Sequence, residues 1–320
     1  MPMRAPIVLS LAEIKRALEG YDPLPAMELA LSACAAGRAV TPPVGELLFD
    51  EPRGDAQIKF GMIRNAESFI VKVAAGFYDN PRRGLPANSG VILVLSQKTG
   101  RPRAILIDEG WLTALRTAAA GAVAARYLAP RAIEAIGVIG TGDQARMQLD
   151  VLRRVTPVRN VVAFGRNRDT AGQFAGAMAG LGYEVALADS AAEVAARAQL
   201  IVTATPATSP VLKAADIRPG THITAVGADT SDKQELDPAI LARAAIVATD
   251  SVAQALSSGE IHHALIAGQI TARKPVELGH VIMGSAARRT SDDQITVADL
   301  TGVVVEDLMM AEAVLEAIGG

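Results

Sequence analysis

The residues best placed to do chemistry begin at Gly140-Thr-Gly142-Asp143-Gln144-Ala145, which follows the apolar run Ala135–Ile139 and leads into a helical pattern from Arg146 to Val155. Strand, tight glycine turn and helix N-terminus make the layout that cradles a dinucleotide pyrophosphate on backbone N–H groups. Gly140 permits the turn, Gly142 lets the backbone approach the phosphates, and Ala145 lets the helix pack close to the strand. The same letters also occur in ordinary strand-to-helix turns, so the flanking chemistry decides. The tip of the next strand carries Gly165, Arg166, Asn167 and Arg168, with no acid before Asp169. An acid there would hold the ribose 2′-hydroxyl, whereas two guanidinium forks suit a 2′-phosphate. NADP(H) is therefore the preferred cofactor and NAD(H) the second choice.

Further candidates lie outside that turn. Lys72 stands in the apolar segment Phe69-Ile-Val-Lys-Val73, where burial is costly without an anionic partner; an edge strand with the lysine in water is the alternative. Arg116 punctuates an alanine-rich helix, Trp111 to Leu128. Asp229 follows the apolar run His222–Gly227, at the carboxyl edge of a parallel sheet where ligands bind, or else it caps a turn.

The elements that must position these residues read as α/β. Strand-like runs at 160–164, 183–188, 200–205, 222–227 and 245–249, with helical patterns at 170–181 and 191–198, predict a Rossmann-type doubly wound parallel sheet. The first 115 residues differ. Helices at 11–18 and 25–36 precede strand-like segments at 58–63, 68–73, 90–95 and 104–107, separated by turn-rich stretches. An antiparallel or mixed sheet domain is expected there, and the helix from Trp111 to Leu128 should cross from it to the nucleotide domain.

Composition excludes several classes. Lys plus Arg number 31 against 34 Asp plus Glu, so the net charge of −3 leaves no electrostatic footprint for nucleic acid. The single cysteine, Cys34, rules out an internal disulfide framework or a thiolate metal cluster and reads as a small buried side chain. No apolar run has membrane-spanning length and no signal-peptide pattern opens the chain, so a cytoplasmic location is expected. None of the four histidines pairs with acids at metal spacing; His262 and His263 are expected on one helix from Ser251 to Ala267.

Taken together, Lys72-Val-Ala-Ala-Gly76 with Asn80, Gly84-Leu-Pro86, Thr99-Gly100, Leu112-Thr-Ala-Leu-Arg-Thr-Ala-Ala119, Gly140-Thr-Gly-Asp-Gln-Ala145 and Val226-Gly-Ala-Asp229 resemble, in order, the ornithine cyclodeaminase and mu-crystallin family. The resemblance implies hydride transfer between a nicotinamide and the α-carbon of an amino or imino acid. It also implies a homodimer built through an N-terminal α+β domain (1–115 with 302–320) beside a Rossmann domain (116–301), the segment from Gly302 folding back onto the first. Lys72 and Arg116 match the family's carboxylate clamp, and Asp229 its proton-shuttling carboxylate. Cofactor contacts are implied for Thr117, Thr205, Val226, Gly227, Lys233 and Thr301, besides the glycine turn and the arginine tip. A substrate contact is implied for Gly302.

Two departures bear on substrate. Thirteen positions before Lys72, where relatives acting on ornithine carry a glutamate, this chain has Lys59, a cation that would repel a side-chain ammonium and attract a second carboxylate. The arginine that usually follows the preceding proline is missing, and Pro43-Val-Gly-Glu46 offers Gly45 or Glu46 instead. The leading expectation is an NAD(P)H-dependent reductase of α-imino acids, such as iminosuccinate. The alternatives are an ornithine cyclodeaminase-type lyase and a non-catalytic NADPH-dependent binding protein of the mu-crystallin type.

Overall fold

The computed structural model describes residues 5–77 and 79–319, which divide into two compact units, one running to Arg116 and resuming at Val303, the other Thr117–Gly302. The first unit opens with β1 (Ile7–Leu9), α1 (Leu11–Ala17), α2 (Leu24–Ala35), β2 (Ala39–Val40) and β3 (Gly45–Phe49). It continues through β4 (Gly54–Ile63), β5 (Ser68–Phe77), β6 (Asn88–Ser96) and β7 (Pro102–Leu106) to α3 (Trp111–Leu128). Strand order is β1-β7-β6-β5-β4-β2, with β3 also on β4; β1 joins β7 in parallel and the other pairs are antiparallel. The short strands β1, β2 and β3 carry too few alternating residues to be read from sequence. The division between the units falls inside α3, between Arg116 and Thr117.

The second unit alternates strand and helix: β8 (Ile136–Ile139), α4 (Asp143–Leu152), β9 (Asn160–Phe164), α5 (Arg168–Ala179), β10 (Glu184–Leu187), α6 (Ala191–Arg197) and β11 (Leu200–Thr203). Then come β12 (Thr208–Leu212), β13 (His222–Ala225), β14 (Gln234–Leu236), α7 (Pro238–Arg243), β15 (Ile246–Thr249), α8 (Val252–Ala255), α9 (Gly259–Ile266), β16 (Val276–Glu277), α10 (Leu278–Met283) and β17 (Thr296–Asp299). Eight of these strands form one parallel sheet in the order β10-β9-β8-β11-β13-β17-β15-β16, the doubly wound arrangement expected of a Rossmann-type fold. Its central strands are buried on both faces, which is why they read as continuous apolar runs. A separate two-stranded pair, β12 with β14, lies outside that sheet.

The expected single helix from Ser251 to Ala267 is instead two, α8 and α9, because Gly259 takes φ +83° and resets the backbone. His262 and His263 stand on α9, where their ring nitrogens face the carbonyls of Leu256 and Lys233. Cys34, expected to be buried, is half-buried on α2.

The last helix, α11 (Val304–Ala317), belongs to the first unit, where it packs on α2, β4 and β5. Contact is close enough that a Cβ on Gly61 of β4 would overlap a methyl of Val304 and the carbonyl of Val40. Ten of its residues are buried, among them two acids, Glu306 and Asp307. An acid pair buried on the packed face of a helix requires a cationic receiver.

Candidate active-site residues in the two units

That receiver is a row of cations on the sheet. Lys59 of β4 stands directly opposite Lys72 of β5 in the antiparallel register, so both side chains leave the same face. Both are buried, at 8% and 2% exposure, and β5 is an interior strand, so Lys72 is not an edge lysine in water. Lys72 Nζ donates to Asp307 Oδ1 at 2.8 Å. Arg116 joins from α3, its Nε donating to the same oxygen at 3.2 Å and one terminal nitrogen to Glu306 at 3.0 Å. Asp307 therefore bridges two cations with a single oxygen.

Burial pulls Lys72 down to about 8, although Asp307 pulls the other way, while Arg116 and Lys59 add to the fall. Burial also works to raise Asp307, but Lys72 and then Arg116 outweigh it and hold that carboxyl below its ordinary range. Asp108, beside the N-terminus of α3, accepts from the Leu112 N–H at 3.0 Å, and burial raises its pKa. Three cations and three acids are thus buried together in this unit. Lys72 and Arg116 are held in place by buried anions. Sequence reasoning missed the acids. The signal was the pair Glu306-Asp307 within Val303–Leu308, an acidic dipeptide in an apolar run.

In the second unit the glycine turn has the shape a dinucleotide requires. Gly140 has φ +101°, and a Cβ there would overlap the Ala204 carbonyl. A Cβ on Gly142 would enter open space, and Gly142 caps α4 without any side-chain hydrogen bond to its first turn. With no side chain capping them, the first N–H groups of α4 fit a pyrophosphate as acceptor. Ala145 is fully buried, Gln144 half-buried, and Asp143 exposed at the start of the helix, 3.7 Å from Arg146. The Thr117 carbonyl accepts from Gln148 of α4 at 3.1 Å.

At the strand tip a Cβ on Gly165 would meet the Thr141 side chain, and Arg166 is exposed. Asn167 is occupied as the cap of α5, accepting from the N–H of Asp169 at 2.9 Å and of Thr170 at 3.1 Å. Arg168 is ion-paired with Asp189. Past β13, Asp229 accepts from Lys233 at 2.7 Å, both side chains part-exposed. Val226 is buried, and the Gly227 N–H and the Thr205 N–H and hydroxyl all donate to Glu235. Thr301 is buried between Gln254 and Asp250, and Gly302, at φ +82°, donates its N–H to Asp250.

The sequence pattern of the ornithine cyclodeaminase/mu-crystallin family matches residues 4–320. An uncharacterized cyclodeaminase of Sinorhizobium fredii is 39% identical over 294 residues, 91% of this chain and 88% of that protein. The structure of the iminosuccinate reductase of Paracoccus denitrificans in complex with NAD+ superposes with a TM-score of 0.91 at 33% identity, covering 99% of this chain and 97% of that one. An archaeal alanine dehydrogenase dimer with bound NAD gives a TM-score of 0.90 at 34% identity, covering 98% and 95%. With matches of this length in sequence and in fold, the chain belongs to the ornithine cyclodeaminase/mu-crystallin family and, like these relatives, is an enzyme on a Rossmann-type scaffold.

Proposed function

We propose that the protein is an NAD(P)H-dependent reductase of α-imino acids, yielding L-amino acids, with a dicarboxylic imine such as iminosuccinate as substrate. The observation that carries this reading is the register pair Lys59 opposite Lys72, two buried ammonium groups on one face with Arg116 beside them. Lys72 and Arg116 would bind the α-carboxylate, and Lys59 the second one. Asp229 would hold and move the proton at the substrate nitrogen, with Lys233 donating to its carboxylate and orienting it. A substrate contact is proposed for Gly302. A bound nicotinamide would supply the hydride, and the chain's part is to fix the α-carbon and the proton. A lysine at position 59 disfavours the ornithine cyclodeaminase reading, because it would repel a side-chain ammonium.

The cofactor proposal follows the second unit. The glycine turn from Gly140 to Ala145 would hold the pyrophosphate, and Thr117, Thr205, Val226, Gly227, Lys233 and Thr301 would line the remainder. Arg166 would carry a preference for NADPH, since Arg168 is engaged by Asp189 and Asn167 by its helix. A homodimer through the first unit is also proposed. Support comes from β3, exposed along its whole length, where Leu48 is 76% and Leu47 54% exposed, with Phe60 of β4 also exposed. An apolar edge strand of this kind needs a cover.

The test is NADPH oxidation by the purified protein with oxaloacetate, pyruvate or glyoxylate plus ammonia or methylamine. Fastest turnover with oxaloacetate supports the reading. Proline and ammonia formed from L-ornithine without net change in NADPH would replace it with the cyclodeaminase reading. Nucleotide binding without turnover of any substrate would favour a binding protein.

A further inference from the structure

Glu235, on β14, is fully buried, yet its carboxylate collects four hydrogen bonds from the ends of two other strands. Oε2 accepts from the Thr203 hydroxyl at 2.7 Å and the Gly227 N–H at 2.9 Å. Oε1 accepts from the Thr205 N–H at 2.6 Å and its hydroxyl at 2.7 Å. Thr203 ends β11 and Thr205 lies in the loop after it, while Gly227 follows β13, the neighbour of β11 in the sheet. A Cβ on Gly227 would lie 2.6 Å from the carboxylate, so the close approach requires glycine.

A second tier of acids holds the first. Glu260 of α9 accepts from the N–H of Glu235 itself at 2.7 Å and from that of Leu236 at 2.9 Å. Asp299, at the end of β17, accepts from the Ile261 N–H at 2.8 Å and so fixes the start of α9. The buried acids of this unit are these three and Asp250; its buried histidine, His222, is engaged by Thr296 and Thr224 at the opposite end of the strands. Burial raises Glu235, raises Glu260 well above the carboxylate range and lifts Asp299 to about 7. Collecting acids away from cations costs stability, and here it occurs under the carboxyl edge of the parallel sheet, where open α/β folds bind their ligands.

We infer that Glu235 is a positioning residue for the cofactor: it ties the Thr205 and Gly227 loops together at one fixed spacing, backed by Glu260 and Asp299. The inference rests on the nucleotide reading above. Its force lies in the substitution Glu235→Gln. Both carboxylate oxygens accept from a backbone N–H, so either orientation of the amide turns its NH2 toward Thr205 or Gly227. One loop must then move.

The experiment is titration of NADPH and NADH by fluorescence on wild type, Glu235→Gln, Thr203→Val and Val194→Ala, with melting temperatures alongside. Thr203→Val keeps the carboxylate and removes one donor to it; Val194→Ala truncates the core of the same unit elsewhere. Glu235→Gln should weaken nucleotide binding about tenfold and Thr203→Val about threefold, with nucleotide KM affected more than kcat. Val194→Ala should lower the melting temperature and leave the Kd at the wild-type value. Wild-type Kd in Thr203→Val and in folded Glu235→Gln, or a Kd loss in Val194→Ala matching theirs, would overturn the inference while leaving the nucleotide reading intact. If Glu235→Gln does not fold, Thr203→Val decides alone. A wild type that binds neither nucleotide would overturn both.

Discussion

At the scale of single residues, separate charges carry separable tasks. Replacing Asp229 by Asn removes a proton acceptor without emptying the nucleotide cradle, so kcat should fall about a hundredfold with the NADPH Kd nearly intact; equal loss in both would contradict the assignment. Replacing Arg166 by Ala should weaken NADPH about tenfold and NADH little, one charge-assisted contact being at stake, as titration of both nucleotides will show. Lys72 also gives a pH signature. Its pKa of about 8 means that the ammonium is present below that pH and lost above it. KM for an anionic imino acid should therefore rise as pH increases through about 8, and a KM flat across that range would contradict Lys72 as a carboxylate contact. Lys72 could be singled out in the sequence because a lysine interrupts an apolar strand at a cost, and Lys59 because it stands where relatives acting on ornithine carry a glutamate. Their anions carry only the signal of an acidic dipeptide in an apolar run, and with Asp307 235 positions from Lys72 the sequence does not say which cations it meets. Glu235 was illegible for the same reason, since its partners come from β11 and from the loop after β13.

At the scale of elements, α11 does more than complete a domain. It supplies Glu306 and Asp307 to the cations of the sheet, and it sits on a strand shaved to glycine at Gly61 to admit Val304. Truncating Asp307 to Ala leaves Lys72 and Arg116 buried with one anion fewer and should cost on the order of 3 kcal/mol in urea unfolding. Gly61→Ala should cost about 2 kcal/mol through overpacking against α11. A loss near zero for either would mean that the helix does not depend on these contacts. The long elements were legible: the buried parallel strands read as apolar runs, and the glycine turn as a steric necessity at Gly140. Missed were the elements whose information is tertiary. Among these, β17 is a four-residue strand made central only by its neighbours β13 and β15. The division of the expected 251–267 helix turned on one backbone angle, at Gly259.

At the scale of the whole molecule, the proposed dimer gives a use to the exposed strand β3. Light scattering on the wild type should report twice the chain mass, and Leu48→Glu should shift the population toward monomer, whereas a monomeric wild type would contradict the assembly. The central claim concerns chemistry, and the comparison that tests it most directly is the ratio of kcat/KM for NADPH oxidation with oxaloacetate plus ammonia to that with pyruvate plus ammonia, measured in wild type and in Lys59→Ala. Wild type should favour the dicarboxylic substrate, and Lys59→Ala should reduce the ratio about tenfold, one buried charged contact being lost. An unchanged ratio, or turnover of L-ornithine to proline without net change in NADPH, would contradict that claim.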